Sequence, residues 1–381
     1  MSDNPSAVLT EHFASLEDPR IDRTRLHELL DIIVIAICAV ICGADDWVEV
    51  ELFGNAKLPW LQTFLALPNG IPSHDTFGRV FARLKPEPFQ KCFLEWVQAV
   101  HEVTGGQVIA IDGKVLRGSC HRVLGKAGID MVSAWATANH LVLGQVKVDD
   151  KSNEITAIPR LLQALEIAGC IVTIDAIGCQ SNIAQSIVER DADYVLAAKQ
   201  NQGHLYEDLK GLFDAAQEVN FKDVPHDYDQ TTDKDHGRME IRRCWTISEA
   251  QFIDYLRNKA DWRDLRTIVK VVAEREVNGA PTFEERYFIS SLPGDAQRLL
   301  QAIRAHWGIE NSLHWVLDIA FDEDHHRVRK DNGPANFAVL RHIALNLLKQ
   351  EHTVKAGIKA KRLKAGWLEP YLLKELLGRG K

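Results

Sequence analysis

The sequence lacks the features that mark membrane proteins and disulfide-stabilised secreted proteins. Its 381 residues contain no apolar run near the roughly 20 residues that a membrane-spanning helix needs, and the most apolar stretch, Ile32–Cys42, indicates a buried helix. The N-terminal residues show no basic stretch followed by an apolar run, so we expect no secretory signal. The seven cysteines form no C-x-x-C pair, which indicates reduced thiols and no zinc motif. We therefore expect a cytoplasmic protein.

An excess of positive charge is also missing. Lysine and arginine number 45 against 53 aspartate and glutamate residues, which gives a net charge of −8. This balance excludes a basic coat of the histone kind, although local clusters of cations can still bind nucleic acid. Hydrophobic residues make up 46% and charged residues 26%, as in an ordinary globular protein, and the length allows two or three packed units.

Residues 1–104 are predicted to be helical, as an N-terminal domain that could bind DNA. One apolar stripe opens near Ser73 and a second follows the proline pair at 86 and 88. The first comprises Phe77, Val80, Phe81 and Leu84, and the second comprises Phe89, Phe93, Trp96, Val97 and Val100. Two short helices around a tight break form either a helix-turn-helix DNA reader or a packed helical hairpin, and spacing alone leaves both open.

From Gly105 to residue 205 the pattern changes to short apolar runs separated by turns. The spacing predicts strands over 108–111, 131–138, 141–148, 171–174 and 194–198, with helices over 155–168 and 183–190. The order is strand, strand, strand, helix, strand, helix, strand. This order is that of a ribonuclease H-like fold, so we predict an α/β protein with a core of that type.

The remaining chain is predicted in three parts. Residues 206–292 alternate apolar and charged side chains in short runs, which indicates a β-rich insertion. Residues 293–350 form the second part of the core, with a helix over 295–321 and a weak point at Gly308. Residues 351–381 carry eight lysines and arginines against two glutamates from residue 352 onward, which indicates a basic C-terminal tail.

Two aspartates directly follow apolar strands of the predicted core. Asp112 comes after the first strand and Asp175 after the fourth. A charge at such a position has no partner unless the sheet edge opens on a cation, although a turn or N-cap aspartate is the plainer alternative. Carboxylates converging from rigid strands would suit two divalent ions, Mg²⁺ or Mn²⁺, which can stabilise phosphodiester cleavage. We predict that both aspartates are catalytic metal ligands.

Glu310 is the third candidate ligand. It shares a helix face with His306 and His314 because steps of four residues advance only about 40°. The surrounding helix is apolar and aromatic, so the carboxylate is expected to need a cation. The alternatives are a salt bridge to Arg304 and a zinc site that includes the two histidines. Zinc is disfavoured because the H-E-x-x-H spacing is absent.

Basic residues follow each of the three acids. Lys114 and Arg117 come after Asp112, Lys199 after the fifth strand, and Arg327 and Arg329 after the late helix. Near a metal site these side chains could hold backbone phosphates. The alternative for each one is solvated surface charge.

With these residues located, the chain resembles the DDE-type insertion-sequence transposases, and within them the H-repeat-associated proteins found beside Rhs elements in bacteria. The resemblance covers nearly the whole chain. The motifs that carry it are FASLEDPRIDRTRLHELLDII, GADDWVEVELFG, IPSHDTFGRVFARL, AIDGKVLRGS, TIDAIGCQ, DYVLAAKQNQ, HGR at 236–238, and RAHWGIENSLHWVLDIAFDED followed by HRVR. The resemblance implies that Asp112, Asp175 and Glu310 are the first, second and third catalytic acids.

One departure from the broader superfamily concerns the third acid. The usual tyrosine, arginine, glutamate and lysine correspond here to Ile303, His306, Glu310 and Leu317. The cations that contact phosphate therefore differ from the usual set, and Arg304 and His314 join Arg327 and Arg329 as candidates.

The function implied by the resemblance is transposition. The protein would bind the terminal inverted repeats of an insertion sequence as a homodimer or higher oligomer, away from any membrane and associated with the nucleoid when bound to DNA. It would cut double-stranded DNA at the element ends and join them to target DNA with Mg²⁺ or Mn²⁺. Two alternatives keep the fold: a host-retained or inactive DNA-binding protein, and a nuclease without strand transfer.

Overall fold

The computed structural model describes residues 11–100, 105–120, 128–149, 152–235, 238–277 and 280–376. The described N-terminal part is helical. Its helices are α1 (Leu29–Ile41), α2 (Trp47–Ala56), α3 (Leu58–Leu61), α4 (His74–Arg83) and α5 (Pro86–Val100). The last two carry the two predicted apolar stripes, and Phe77, Phe81, Phe89 and Phe93 are fully buried.

Helix α1 packs against a late helix, α12 (Gly333–Gln350), and together they form the centre of the helical part. Both are buried on nearly every side, as helices surrounded by protein are, although α12 also buries several polar side chains. Two buried asparagines of α12 join it to its neighbours. Asn336 donates to the carbonyls of Phe81 and Leu84, and Asn346 bonds to both backbone groups of Val142 at 2.9 Å.

A single mixed sheet of nine strands follows the helices. The strands are β1 (Val108–Leu116), β2 (Ile129–Ala136), β3 (Leu141–Lys147), β4 (Ile171–Ile174), β5 (Asp193–Ala198), β6 (Asp227–Asp235), β7 (Arg238–Ile247), β8 (Thr267–Val277) and β9 (Ala280–Ser290). Their order across the sheet is β3-β2-β1-β4-β5-β9-β8-β7-β6. Strands β1, β4 and β5 run parallel, and the other neighbouring pairs are antiparallel. The protein is therefore a mixed α/β structure.

Four helices connect these strands. They are α6 (Glu154–Ala164), α7 (Ser181–Val188), α8 (His204–Glu218) and α9 (Ala250–Ile253). Strands β6 to β9 all lie in the segment predicted as a β-rich insertion, and β9 pairs with β5, so the segment extends the core sheet. Helix α8 and strand β6 were not predicted from the sequence.

The late helix carries Glu310 and is not regular. Helix α10 (Ala296–Ile309) leads into a π-helical turn, Glu310–His314, and then into α11 (Trp315–Phe321). A π turn inserts one extra residue into the helical ladder and changes the direction of the side chains that follow. The predicted helix over 295–321 is thus present, with its irregular turn directly after the predicted weak point.

The described part of the segment predicted as a basic tail forms two packed helices, α13 (Ile358–Trp367) and α14 (Glu369–Leu376). Lys361 and Arg362 are buried and bond to backbone carbonyls, so these cations do not face solvent. No described helix is long and apolar enough to cross a membrane. Residues 1–10, 236–237 and 377–381, which include part of the HGR motif, lie outside the described residues.

Candidate active site

The sheet register places Asp112 and Asp175 side by side. Ile111 pairs with Ile174 in the parallel ladder between β1 and β4, and the aspartates are the next residue on each chain. Strand β1 does not end at Asp112, as the sequence suggested, because it continues along β2 as far as Leu116. Only the pairing of β1 with the parallel strand β4 ends at Ile111. Asp112 therefore lies where β4 separates from β1, and the two carboxylates meet at that opening.

The late helix brings Glu310 to the same place. Asp112, Asp175 and Glu310 all line one cavity of about 190 Å³, which we call the carboxylate cavity. The prediction of a buried Glu310 was wrong, because its side chain is exposed at the start of the π turn. The sequence also left open a salt bridge between Glu310 and Arg304. That salt bridge does not form, since Arg304 pairs with Asp233 at 2.5 Å. Glu310 therefore lines the same cavity as the two strand-end aspartates from the late helix.

The carboxylates of this cavity repel one another. Burial raises the pKa of Asp112 to about 7, and the charges of Asp175, Glu310 and Glu154 contribute to the rise. Asp175 is oriented by its neighbours, because its Oδ1 accepts hydrogen bonds from the backbone N–H groups of Ile177 and Gly178. Negative charge thus accumulates here without an equal number of cations. A bound cation would relieve this repulsion.

Glu154 is a fourth carboxylate beside the three predicted acids. It begins helix α6, and its side chain covers Gly113, where a Cβ would collide with the carboxylate. Burial raises the pKa of Glu154, and the charges of Asp175 and Asp130 raise it further. Glu154 therefore adds to the electrostatic strain at Asp112.

Two histidines lie near the cavity, and burial lowers the pKa of both rings. His306 lines it and its Nδ1 lies 3.1 Å from the Thr173 hydroxyl, while burial lowers the pKa of the ring. The His314 Nδ1 lies 3.5 Å from the Asp112 carboxylate. Burial and the nearby Lys114 charge lower the pKa of His314 to about 4. His314 is therefore an uncharged side chain beside Asp112, and its contact with phosphate stays a prediction.

The donor chemistry of the cavity fits a hard divalent cation. Carboxylate oxygens are the ligands that Mg²⁺ and Mn²⁺ prefer, and three of them line one space here. Within the described part of the chain, no three acidic, histidine or cysteine side chains are yet close enough to form a finished ligand cluster. The carboxylate oxygens are therefore suitable ligands for a divalent ion. The three side chains would have to move closer together to bind it.

Lys114 does not face the cavity, in contrast to its predicted role at a phosphate. Its Nζ lies 2.5 Å from the Asp318 carboxylate and 2.8 Å from that of Glu323, and the side chain is only 13% exposed. Glu323 is itself buried, and the Lys114 and Arg341 charges outweigh its burial and lower its pKa to about 2. Lys114 thus fastens β1 to the segment after the π turn.

The other predicted DNA contacts are spread over the surface. Lys199 is exposed and lines the cavity with Asp175. Arg117 is 79% exposed and lies 3.6 Å from Asp324, outside that cavity. Arg304 lines a neighbouring cleft between α10 and the insertion strands. Arg327 and Arg329 line a different cavity, against the N-terminal helices. Of the predicted cations, Lys199 alone lines the carboxylate cavity.

Two family models match the chain. One, described as DDE_Tnp_1-associated, matches residues 10–97, and the other, described as the Transposase DDE domain, matches residues 104–347. The second model covers more than half of the sequence. The chain belongs to the DDE transposase family.

Relatives of similar length agree with this assignment. YncI of Escherichia coli O157:H7, named as a transposase, is 41% identical over 361 residues, which cover 93% of this chain and 91% of the relative. YhhI of Escherichia coli strain K12, named as H repeat-associated, is 39% identical over 379 residues, 98% of each chain. A solved synaptic complex of piggyBac transposase with hairpin DNA aligns with a TM-score of 0.41 and 12% identity, over 97% of this chain and 77% of that one.

Sequence reasoning missed two charged residues near the acids of this DDE transposase, Arg286 in the cavity and Glu154 beside Gly113. Arg286 and Phe288 are two positions apart on β9, and both line the cavity. The alternation of the predicted strand could have placed both on one face. Glu154 had a weaker signal: the glycine after Asp112 sits inside a strand, where glycine often marks the close approach of another group.

Proposed function

We propose that this DDE transposase binds the terminal inverted repeats of an insertion sequence, cuts the DNA at the element ends and joins those ends to target DNA. The observation that carries the proposal is the single cavity lined by Asp112, Asp175 and Glu310, with the pKa of Asp112 raised to about 7. Perturbed carboxylates that share a cleft are typical of catalytic sites.

Strands β1 to β5 would form a ribonuclease H-like core. Their order across the sheet, β3-β2-β1-β4-β5, and their directions support this proposal, because only β1, β4 and β5 are parallel. Residues 206–292 would then be an insertion between the second and third acids, and residues 1–104 a separate helical domain.

Two divalent ions, Mg²⁺ or Mn²⁺, would be held by Asp112, Asp175 and Glu310. When bound, such ions neutralise the charge that develops on the attacking and leaving oxygens of the phosphodiester. The chain's own residues orient the substrate. Lys199 and Arg286 lie at the cavity and would contact the phosphates beside the cut, and Trp307, held 4.6 Å from the Arg286 guanidinium, closes one wall.

Water would attack the phosphodiester at each element end and break its P–O3′ bond, which frees a 3′-hydroxyl. In the same active site, that hydroxyl would attack a phosphodiester of the target DNA, form a new P–O bond and release a 3′-hydroxyl of the target strand. Joining both ends of an element to one target needs the two ends in one complex, so we expect a homodimer or higher oligomer on duplex DNA, as the family resemblance implies. A nuclease of the same fold would stop after the first reaction. Product analysis separates the two, because strand transfer yields joined DNA and hydrolysis yields only cut ends.

Replacement of the acids tests this proposal. The variants Asp112→Ala, Asp175→Ala and Glu310→Ala should each lose Mg²⁺-dependent cleavage of a duplex that carries an element end, while they still bind that duplex. Glu166→Gln serves as a control, because Glu166 is exposed and does not line the cavity. Unchanged cleavage by any of the three alanine variants would remove that residue from the mechanism.

A further inference from the structure

A second cavity, of about 520 Å³, lies between the N-terminal helices and the segment that follows the late helix. Four cations line it: Arg79 from α4, and Arg327, Arg329 and Lys330 from the segment before α12. It shares no lining residue with the carboxylate cavity. We call it the cationic cavity.

The four cations are free to bind an external anion. All four are exposed, and none makes an ion pair with a described residue. Arg329 donates from Nε to the Gly118 carbonyl, and Arg79 donates to the Asp75 carbonyl, so these contacts orient the guanidinium groups and leave their charge uncompensated. In a chain whose net charge is −8, four such groups around one concavity form a local field of opposite sign.

Two carboxylates also line the cationic cavity, and each is engaged with the protein. Asp46 caps helix α2 by accepting a hydrogen bond from the Glu49 backbone N–H at 2.9 Å. Asp75 lies 3.8 Å from the Nε2 atom of His74, whose Nδ1 bonds to Glu51 at 2.6 Å. The cations therefore outnumber the acids.

Helix ends add to the positive potential. Trp47, His74 and Gly333, the first residues of α2, α4 and α12, all line the cavity. Each of these helices has ten residues or more, and the N-terminus of a helix carries a partial positive charge that favours anions.

The cationic cavity is also joined to the active site through the backbone that follows Asp112. The bond between Arg329 and Gly118 ties it to the end of strand β1, whose residue Asp112 lies at the carboxylate cavity. The five steps along the chain from Asp112 to Arg117 span at most about 16 Å at the rise of a strand. This length corresponds to about five steps along the backbone of duplex DNA.

We propose that the cationic cavity is a second DNA-contact site, which holds the sugar-phosphate backbone of duplex DNA through Arg79, Arg327, Arg329 and Lys330. The inference rests on the proposed function. It assigns the N-terminal helices a share in DNA binding through a surface that they build jointly with the catalytic part of the chain. Because the contacts are to phosphate, they position the DNA and do not read its sequence.

The test uses the full chain and the variants Arg79→Ala, Lys330→Ala and their combination. The probes are a fluorescent duplex from the DNA that flanks the gene, with the terminal repeat, and an unrelated duplex of the same length. Anisotropy is measured between about 50 and 300 mM salt. Each lost phosphate contact should weaken binding about 5-fold at 150 mM salt and reduce the salt slope by about 0.9, so the combination should weaken binding about 25-fold.

Both duplexes should be affected equally, and Arg79→Lys should restore most of the binding lost in Arg79→Ala. Arg298→Ala is the matched control, because Arg298 is an exposed arginine on α10 that lines neither cavity. In hydroxyl-radical footprints, the double variant should lose protection about five base pairs from the cut and keep it at the cut itself.

The outcomes separate this inference from the proposed function. If the wild-type protein binds and cuts the element end and the double variant binds as Arg298→Ala does, the second contact site is refuted and the transposase proposal stands. If the wild-type protein binds neither duplex, both fall. A loss confined to the terminal-repeat duplex would also overturn the inference, because it would indicate base recognition.

Discussion

The substitution Asp112→Asn should stabilise the metal-free protein and abolish its activity. Burial and the neighbouring carboxylates raise the pKa of Asp112 from an ordinary 3.8 to about 7. The folded state therefore holds this proton more tightly than the unfolded chain does. The resulting destabilisation is absent below pH 3.8, grows as the pH rises towards 7 and is constant above it. At about 1.4 kcal/mol for each pH unit, it reaches about 4 kcal/mol at pH 8.

Urea denaturation in EDTA measures this effect. At pH 8 the Asp112→Asn variant should be more stable than the wild type by about 3 kcal/mol, since a buried amide loses part of the gain, and near pH 4 the two should be alike. Added Mg²⁺ should stabilise the wild type and have much less effect on the variant. Such a gain in stability at the expense of function is common at catalytic sites.

The control for this experiment is Glu166→Gln, which changes an exposed carboxylate by the same chemistry. Its difference from the wild type should not grow between pH 4 and pH 8. A stability difference for Asp112→Asn that is equally large at both pH values would refute the reasoning, because packing and not charge would then explain it. Equal stability at pH 8 would refute it as well.

Three further changes test other parts of the structure. Lys114→Met should lower the free energy of unfolding by about 2 to 3 kcal/mol in urea denaturation, because it removes one of the two cations beside the buried Glu323 and leaves Arg341 as the other. Arg362→Met should destabilise by about 3 kcal/mol, because its guanidinium bonds to carbonyls at the end of α1, and Arg362→Lys should lose less. Glu154→Gln should lower the pKa of Asp112, which would move the acidic limb of the pH–cleavage profile to lower pH, and an unmoved profile would show that the two carboxylates do not interact.

Local pattern was sufficient for much of the core. The run Ile171–Ile174 is apolar except for Thr173 and lies inside the sheet, so the predicted strand matches β4 residue for residue. Strand β6 was missed because its sequence, DYDQTTDKD, has no apolar alternation. It is a strand because it pairs with β7 at the edge of the sheet, and pairing between distant segments leaves no local signal.

The residues of the candidate site also divide into those with a local signal in the sequence and those without one. Asp112 and Asp175 could be proposed because each follows an apolar run, and that feature is local. The partners of Lys114 lie more than 200 residues away in the chain, so nothing near it in sequence indicates that its charge is already compensated. The neutral state of His314 likewise arises from burial by distant elements.

The π turn at Glu310–His314 sets the rotational phase between two halves of one helix. The half before it is fixed by packing against β1, and the half after it is fixed by the ion pair between Lys114 and Asp318. A regular helix turns about 100° for each residue, so removal of one residue from the turn would rotate one half against the other by that angle. Either Glu310 would swing away from the strand ends or Asp318 would leave its lysine. The irregular turn therefore lets one helix meet two geometric demands that a straight one could not satisfy together.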